Sequence, residues 1–520
     1  MGRFAPTAQQ RAIVEAAVRR ESHVVEAGAG AGKTSTLRLI AEAIRNTYGS
    51  RPRLQYMAYN KAIVEDTRAS MEGEYGVACN TAHSLAYRGV GLAPGGLSGA
   101  AFQRAFKSGA LQGWQIAKTI GVKRWSSGKV KVSGPACASL ARRTVKRFAG
   151  STSSTIEGWH MPTPSSIGDN DDMLDDLRDH VLPYARKIWS IARDPNQGLL
   201  RFDMDWYVRI WWEQGPVLPA DMILFDECQD ADPLLRDVFD HQNHAVRIAV
   251  GDSQQSIYAW RGAENALKHF REQGAPMYPL TTSWRFGQTI ADEANRWLDM
   301  LDAEIRLDGN PAIESRIGEI DPSKPWMELC RTNAGVISTL VDCHRRELPV
   351  AMVGCDKEVK ALATALAKLY GGGESDHPAL IGFEDWDALA LFATGEDCDD
   401  PTLRTLVKLA SGVGMDAISQ AVNSCVEERD AHVRASTAHK AKGREAGQVQ
   451  LHGDFAADNG RKPKDEAGGV SAADLRLKYV AVTRARRVLG GLENLSHEPG
   501  SGFGPLPDDQ RAAALEMVKF

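Results

Sequence analysis

The chain has 520 residues, 43% apolar and 25% charged, with a formal net charge of −5; this is ordinary globular composition and a length for about three to four domains. No stretch approaches the ~18 uninterrupted apolar residues of a membrane span, and Met1-Gly-Arg-Phe-Ala-Pro6 carries no apolar segment of signal-peptide length, so an intracellular location is expected. The eight cysteines lie far apart without a Cys-x-x-Cys pair, which argues against a zinc ribbon, an iron–sulfur cluster or a disulfide framework.

His23-Val-Val-Glu-Ala27 reads as a strand, and it runs into Gly28-Ala-Gly-Ala-Gly-Lys-Thr34. A glycine-rich turn between a strand and a helix start is a phosphate-binding loop. Gly28, Gly30 and Gly32, with Ala29 and Ala31 between them, let main-chain N–H groups close around a phosphate. Lys33 neutralises the β and γ charge, Thr34 offers its hydroxyl to Mg²⁺, and Ser35 opens the helix. Ala27 stands where such loops commonly have glycine. A second strand is expected over Leu54 to Ala58. From Tyr75 to Ile156 there is no Asp or Glu, yet twelve Arg or Lys, with Trp114 and Trp125 among them. Such a segment suits a surface that tracks phosphates and stacks bases. The acidic run Asp169 to Asp179 that follows is either a flexible loop or its charge partner.

Met222-Ile-Leu-Phe-Asp-Glu-Cys-Gln-Asp230 is an apolar strand delivering two carboxylates at its C-terminal edge. Asp226 is placed to hold Mg²⁺ and Glu227 to activate water. Further strands are expected over Ile248 to Val250, Trp326 to Cys330, Val350 to Val353 and Val449 to Leu451, alternating with helices. That alternation predicts an α/β protein with two parallel-sheet cores. His241 and His244 have helical spacing but no third ligand nearby, so a metal site there is not expected.

At Val250-Gly-Asp-Ser-Gln-Gln-Ser-Ile-Tyr-Ala-Trp-Arg-Gly-Ala263 the chain resembles the UvrD/Rep group of superfamily 1 DNA helicases, and the resemblance continues in order along nearly all of it. It implies two RecA-like P-loop domains, each with a largely helical insertion. Pro6-Thr-Ala-Gln9 resembles the adenine-reading motif, with Gln9 as the base partner. Ala58-Tyr-Asn-Lys61 and Thr81-Ala-His-Ser84 are similar to strand-contacting motifs, which assigns Tyr59, Asn60, Lys61, Thr81, His83 and Ser84 to DNA. Gln255 matches the γ-phosphate reporter, with Tyr258 and Trp260 at the DNA site. Thr282-Ser-Trp-Arg-Phe286 implies that Trp284 stacks on adenine and Arg285 reaches the γ-phosphate. Cys330-Arg-Thr-Asn333 resembles a DNA element through Arg331 and Asn333. Ser436-Thr-Ala-His-Lys-Ala-Lys-Gly-Arg-Glu445 is similar to the coupling motif, with Thr437, His439 and Lys442 toward DNA and Gly443 and Glu445 toward nucleotide. In Tyr479-Val-Ala-Val-Thr-Arg-Ala485, Arg484 matches a second arginine finger. Phe202 to Trp211 is similar to the F-box DNA helicase branch, with Met204 where His is expected.

The resemblance implies residues 1–88 and 200–278 as the first RecA-like domain and 89–199 as its basic insertion. It implies 279–370 and 428–496 as the second domain, 371–427 as a reduced second insertion, and 497–520 as a tail. The expected activity is an ATP- and Mg²⁺-dependent motor on single-stranded DNA and its junctions with duplex, moving 3′ to 5′, with recombination or replication proteins as partners. The competing expectations are an ATP-gated DNA-binding regulator that displaces proteins without unwinding, and an RNA-directed motor.

Overall fold

A computed structural model describes residues 5–58, 61–92, 104–128, 130–164, 167, 170–194, 198–257, 265–395, 398, 400–460 and 471–495. Two six-stranded parallel sheets organise them. The first joins β1 (His23–Ala27), β2 (Leu54–Ala58), β3 (Ala78–Thr81), β6 (Met222–Asp226), β7 (Val246–Gly251) and β8 (Met277–Leu280) in the order β3-β2-β6-β7-β1-β8. The second joins β9 (Arg316–Ile317), β10 (Trp326–Cys330), β11 (Val350–Met352), β12 (Val433–Thr437), β13 (Ala446–Leu451) and β14 (Ala485–Gly490) in the order β11-β12-β10-β13-β14-β9. The chain is therefore α/β with two RecA-like cores. Their central strands are buried on both faces, which is why they read as continuous apolar runs.

The alternation of side chains splits the first sheet between two apolar layers. Val24, Met57, Ile223, Phe225 and Ala249 face one cluster, whereas Val25, Tyr56, Leu224, Ile248 and Val250 face the other. The layer under Val25 is closed by the helices Ala8–Val18 and Lys33–Tyr48. The opposite layer is continuous with the first insertion. There the helices Gly113–Ile120, Gly134–Ala149 and Asp171–Ala192 and the antiparallel hairpin of β4 (Trp125–Ser127) with β5 (Val130–Val132) pack through Ile116, Val132, Phe148 and Leu177.

The acidic run is mostly helix start: Asn170 caps Asp171–Ala192, and Asp171 and Asp172 occupy the first turn, where carboxylates favour the positive end of the helix dipole. Asp176 accepts the indole N–H of Trp125 at 3.0 Å, and Trp125 is buried. The base-stacking expectation for that tryptophan is corrected accordingly: its ring packs the insertion. Trp114 is 59% exposed.

Residues 371–427 share their apolar packing with the second core. Leu403, Leu406, Ile418 and Val422 lie in one cluster with Val336, Ile337, Leu340 and Val359 of the preceding helices Asn333–Arg345 and Asp356–Tyr370. The segment also touches the other half. Ile381 is buried in the first-core cluster, and Lys131 Nζ donates to Glu384 at 2.9 Å. Leu406→Ala empties space that both segments fill, so it is expected to cost the second core about 2–5 kcal/mol. Urea unfolding followed by hydrogen exchange checks this: protection should fall in Asn333–Arg345 as well as in 371–427. Loss confined to 371–427 would mark a separate unit.

Candidate nucleotide site and inter-core cleft

β1 delivers the glycine-rich loop at its C-terminal end. Gly30 and Gly32 have φ of +74° and +82°, a left-handed conformation that glycine alone adopts without strain, and Gly32 is the N-cap of Lys33–Tyr48. A Cβ on Gly30 would lie 2.8 Å from Arg285 Cβ and Ser283 Oγ, so the loop and the second core meet closely at that point. Ala27 departs from the usual glycine without strain: it is the last residue of β1, extended and packed in the apolar layer.

The carboxylates stand opposite the loop. Asp226 ends β6 and is 1% exposed, accepting the Tyr56 hydroxyl at 2.8 Å. Glu227 follows with φ +51°, uncommon for a non-glycine residue and frequent at functional turns. Its Oε1 lies 2.8 Å from Lys33 Nζ, and its Oε2 accepts Gln229 Nε2 at 2.6 Å. Burial opposes charge on Lys33, but Glu227, Asp226 and Asp252 outweigh it and hold the ammonium above the ordinary lysine range. Burial and the neighbouring Glu227 push Asp226 up. Burial also penalises Glu227, but Lys33 and Lys442 overcome this and hold it down. The hydroxyl of Thr34 and the carboxylates of Asp226 and Glu227 are hard oxygen donors on one cleft wall, a set that fits Mg²⁺.

The second core contributes cations to the same cleft, whose volume is about 1360 Å³. Arg285 reaches in from the segment after β8, its Nε donating to Glu445 at 2.6 Å and its NH1 to the Thr483 carbonyl at 3.1 Å. Arg484, 1% exposed, follows the helix Ala472–Val482 and donates to Gln255 Oε1 at 3.3 Å. Burial and the nearby Arg285 push its guanidinium down to about 9. Gln255 Nε2 in turn donates to Asp252 at 2.6 Å. Gly443, with φ +82°, lines the cleft together with Ala31, Gly32 and Ser35. Trp284 is 48% exposed, and its ring lies 3.5 Å from where a Gly32 Cβ would stand, leaving a flat apolar face beside the loop.

Three expectations change. Gln9 has its amide taken by Thr281, donating to the hydroxyl at 3.0 Å and accepting from the backbone N–H at 3.1 Å. Gln10 is the glutamine at the loop: it donates to Thr36 Oγ1 at 3.1 Å, and its amide lies 3.7 Å from a Gly32 Cβ. The signal that marks it is Thr7-x-x-Gln10, a capping box in which Thr7 accepts the Gln10 N–H and Gln10 accepts the Thr7 N–H. Lys442, expected at DNA, is instead a cross-core cation. Its Nζ donates to both Asp230 oxygens, at 2.6 and 2.5 Å, and to the Gln255 carbonyl at 2.6 Å, with only 9% of the side chain exposed. Glu445, expected at the nucleotide, holds Arg285 and lies 3.6 Å from Arg486.

Of the remaining strand-contact residues, Tyr59, Asn60, Tyr258 and Trp260 lie outside the described residues. Lys61 is exposed and lines the cleft beside Glu65. His83 lines it too, its Nδ1 3.1 Å from the Tyr207 hydroxyl. Thr81 and Ser84 bond one another at the end of β3. Arg331 donates to Asp474 at 2.7 Å, Asn333 opens its helix behind the Thr332 cap, and Thr437 ends β12, accepting from Lys440 N. His439 is half-buried between them in sequence. Arg143, Lys146 and Arg147 of the first insertion extend the cleft wall, with Lys146 3.2 Å from Asp205.

A family profile described as an AAA domain matches residues 9–261. The chain is 28% identical over 526 aligned residues to F-box DNA helicase protein 1 of Schizosaccharomyces pombe, covering 93% of this chain and 57% of that protein. It is 26% identical to F-box DNA helicase 1 of Gallus gallus, covering 94% and 49%. A shorter match, 31% identical over 101 residues, is to the RecBCD enzyme subunit RecB of Escherichia coli, covering 17% of this chain and 9% of that one. The chain thus spans about half the length of the two proteins it matches throughout. Among the described residues no helix is long and apolar enough to cross a membrane.

Asp232, the N-cap of Pro233–Asp240, lines the same cleft, and burial pushes its carboxyl up to about 7. A carboxyl raised on folding stabilises the fold fully below its unfolded value, and that contribution is lost as pH rises through the folded one. Asn preserves the cap and removes the titration. The melting temperature of Asp232→Asn, measured against wild type, should therefore gain as pH is taken from ~5 to ~8. A difference independent of pH would show that Asp232 does not titrate in this window.

Proposed function

We propose that this chain, a member of the UvrD/Rep-like group of superfamily 1, is an ATP- and Mg²⁺-dependent motor that moves on single-stranded DNA and separates duplex ahead of it. The observation that carries the reading is that one cleft is built from both cores: Lys33, Asp226 and Glu227 come from the first, Arg285 and Arg484 from the second.

ATP binding starts from an ion pair. The Lys33 ammonium sits on Glu227; phosphate oxygens entering the glycine loop compete for it, and Glu227 is released toward the attacking water. Glu227 then accepts a proton from water as its oxygen bonds the γ-phosphorus, and the bond to the bridging oxygen breaks to leave ADP. Bound Mg²⁺, held by Thr34 and Asp226, would neutralise charge on the phosphates. Arg285 and Arg484 stabilise the equatorial oxygens only while the two cores are together, so the γ-phosphate ties hydrolysis to their closure. Trp284 offers a stacking face to the base, and Gln10 rather than Gln9 lies beside it.

The strand reading is supported by the further cations that line the same cleft: Lys61, Arg143, Lys146, Arg147, Lys440 and Arg444. Movement from 3′ to 5′ is what the family resemblance implies. DNA, as against RNA, is favoured by the two relatives named as DNA helicases.

Lys33→Ala is expected to abolish hydrolysis while nucleotide-free strand binding persists. Glu227→Gln should retain bound ATP and fall by about 10²-fold or more in turnover. Wild-type turnover in the Glu227 variant would overturn that assignment. Strand displacement on duplexes with a 3′ tail, a 5′ tail or none tests the motor directly. Unwinding of the 3′-tailed duplex alone is expected; ATPase stimulation without displacement on any of them would favour a protein-displacing regulator. Stronger stimulation by RNA than by matched DNA would favour an RNA motor.

A further inference from the structure

One hydroxyl of the second core reaches the phosphate loop itself. Tyr479, in the helix Ala472–Val482, is fully buried. Its hydroxyl accepts the backbone N–H of Ala29 at 3.1 Å and donates to Asp252 Oδ2 at 3.0 Å. The same carboxylate oxygen receives Gln255 Nε2 at 2.6 Å, and Gln255 Oε1 accepts from Arg484 at 3.3 Å. A single hydrogen-bonded chain therefore leaves the loop at Ala29 and crosses to the second core at Tyr479. It returns to the first at Asp252 and Gln255, and ends on the arginine that the second core presents to the cleft. Asp252 also stands close enough to Lys33 to help hold its charge.

The phenol is the one member that both accepts and donates across the interface. Ala29 and Asp252 are 1% and 0% exposed, so no solvent replaces it. Phenylalanine would keep the packing and leave a buried N–H unpaired and a buried carboxylate one donor short.

We propose that Tyr479 is a positioning residue for ATP hydrolysis: its hydroxyl registers the second core on the glycine loop, so that Gln255 and Arg484 are set for the γ-phosphate only when Ala29 and Tyr479 are engaged. The inference rests on the ATPase reading above and adds to it a residue that touches neither phosphate nor strand.

The test is Tyr479→Phe in the full chain, with three measurements: the dissociation constant for a fluorescent ATP analogue, the single-turnover hydrolysis rate with and without single-stranded DNA, and the melting temperature. Leu489→Ala, buried in the same core and outside the cleft wall, serves as a control for lost stability. The expected result is nucleotide affinity within about threefold of wild type and single-turnover hydrolysis slower by about tenfold or more, with a loss exceeding that of the control. Hydrolysis at the wild-type rate would overturn the inference while leaving the ATPase reading intact. So would a parallel loss of affinity and rate matched by Leu489→Ala, which is what a purely structural tyrosine gives. A wild-type chain without ATPase activity would end both.

Discussion

The ammonium of Lys33 has been brought out of water by the turn that places it, and a desolvated charge must be compensated wherever it sits. The first core compensates it three times over, with Glu227 in direct contact and Asp226 and Asp252 behind. Much else in the cleft follows from that demand. Asp226 needs the Tyr56 hydroxyl because it shares a buried site with a second carboxylate, and Glu227 takes a left-handed backbone that turns its side chain toward the lysine. A polyphosphate bearing several negative charges is the natural competitor for such an ammonium, so the electrostatics that pair Lys33 with Glu227 also fit the cleft to take up phosphate.

The second core is held to this arrangement by buried polar contacts as well as by apolar ones, Ala29 and Ile257 of the first core sharing one cluster with Phe286, Ile290 and Leu307. Lys442 is buried against Asp230 and the Gln255 carbonyl, and Tyr479 lies between the loop and Asp252. Buried polar contacts are sensitive to geometry: fully satisfied they fix one arrangement, and a small displacement leaves charges unpaired. An interface of this kind favours two discrete states over a continuum, which suits a cycle driven by the presence or absence of one phosphoryl group.

The glycine loop and the carboxylate strand were legible in the sequence because their chemistry is local: consecutive residues in one turn, and two acids at the end of one apolar run. The sheets were legible where burial on both faces made continuous apolar runs, as in Ile223 to Phe225 and Trp326 to Cys330. The short β9 and the weakly apolar β3, β8 and β14 left no such trace. Side-chain roles set by partners hundreds of residues away were not legible from spacing alone. Lys442 looked like a strand contact because nothing near it in sequence discloses Asp230, and Trp125 looked like a stacking platform because Asp176 lies a helix away. Gln9 and Gln10 are adjacent and chemically identical; only the capping geometry tells which faces the loop. Arg484 was legible through its motif, whereas the partners that the structure gives it, Gln255 and Thr483, were not.

The contacts joining the two halves differ in their exposure to solvent, and that difference has a mechanical consequence. Lys131 and Glu384 meet with 44% and 59% of their side chains exposed, whereas Lys442 and Asp230 meet with 9% and 11%. Dissolved ions screen the first pair and barely reach the second. Raising ionic strength therefore weakens the Lys131–Glu384 pair, beside which Ile381 adds an apolar contact that salt does not screen, while the Lys442–Asp230 end keeps its hold. Added salt is therefore expected to loosen the two halves first at the Lys131–Glu384 end and last at the Lys442–Asp230 end.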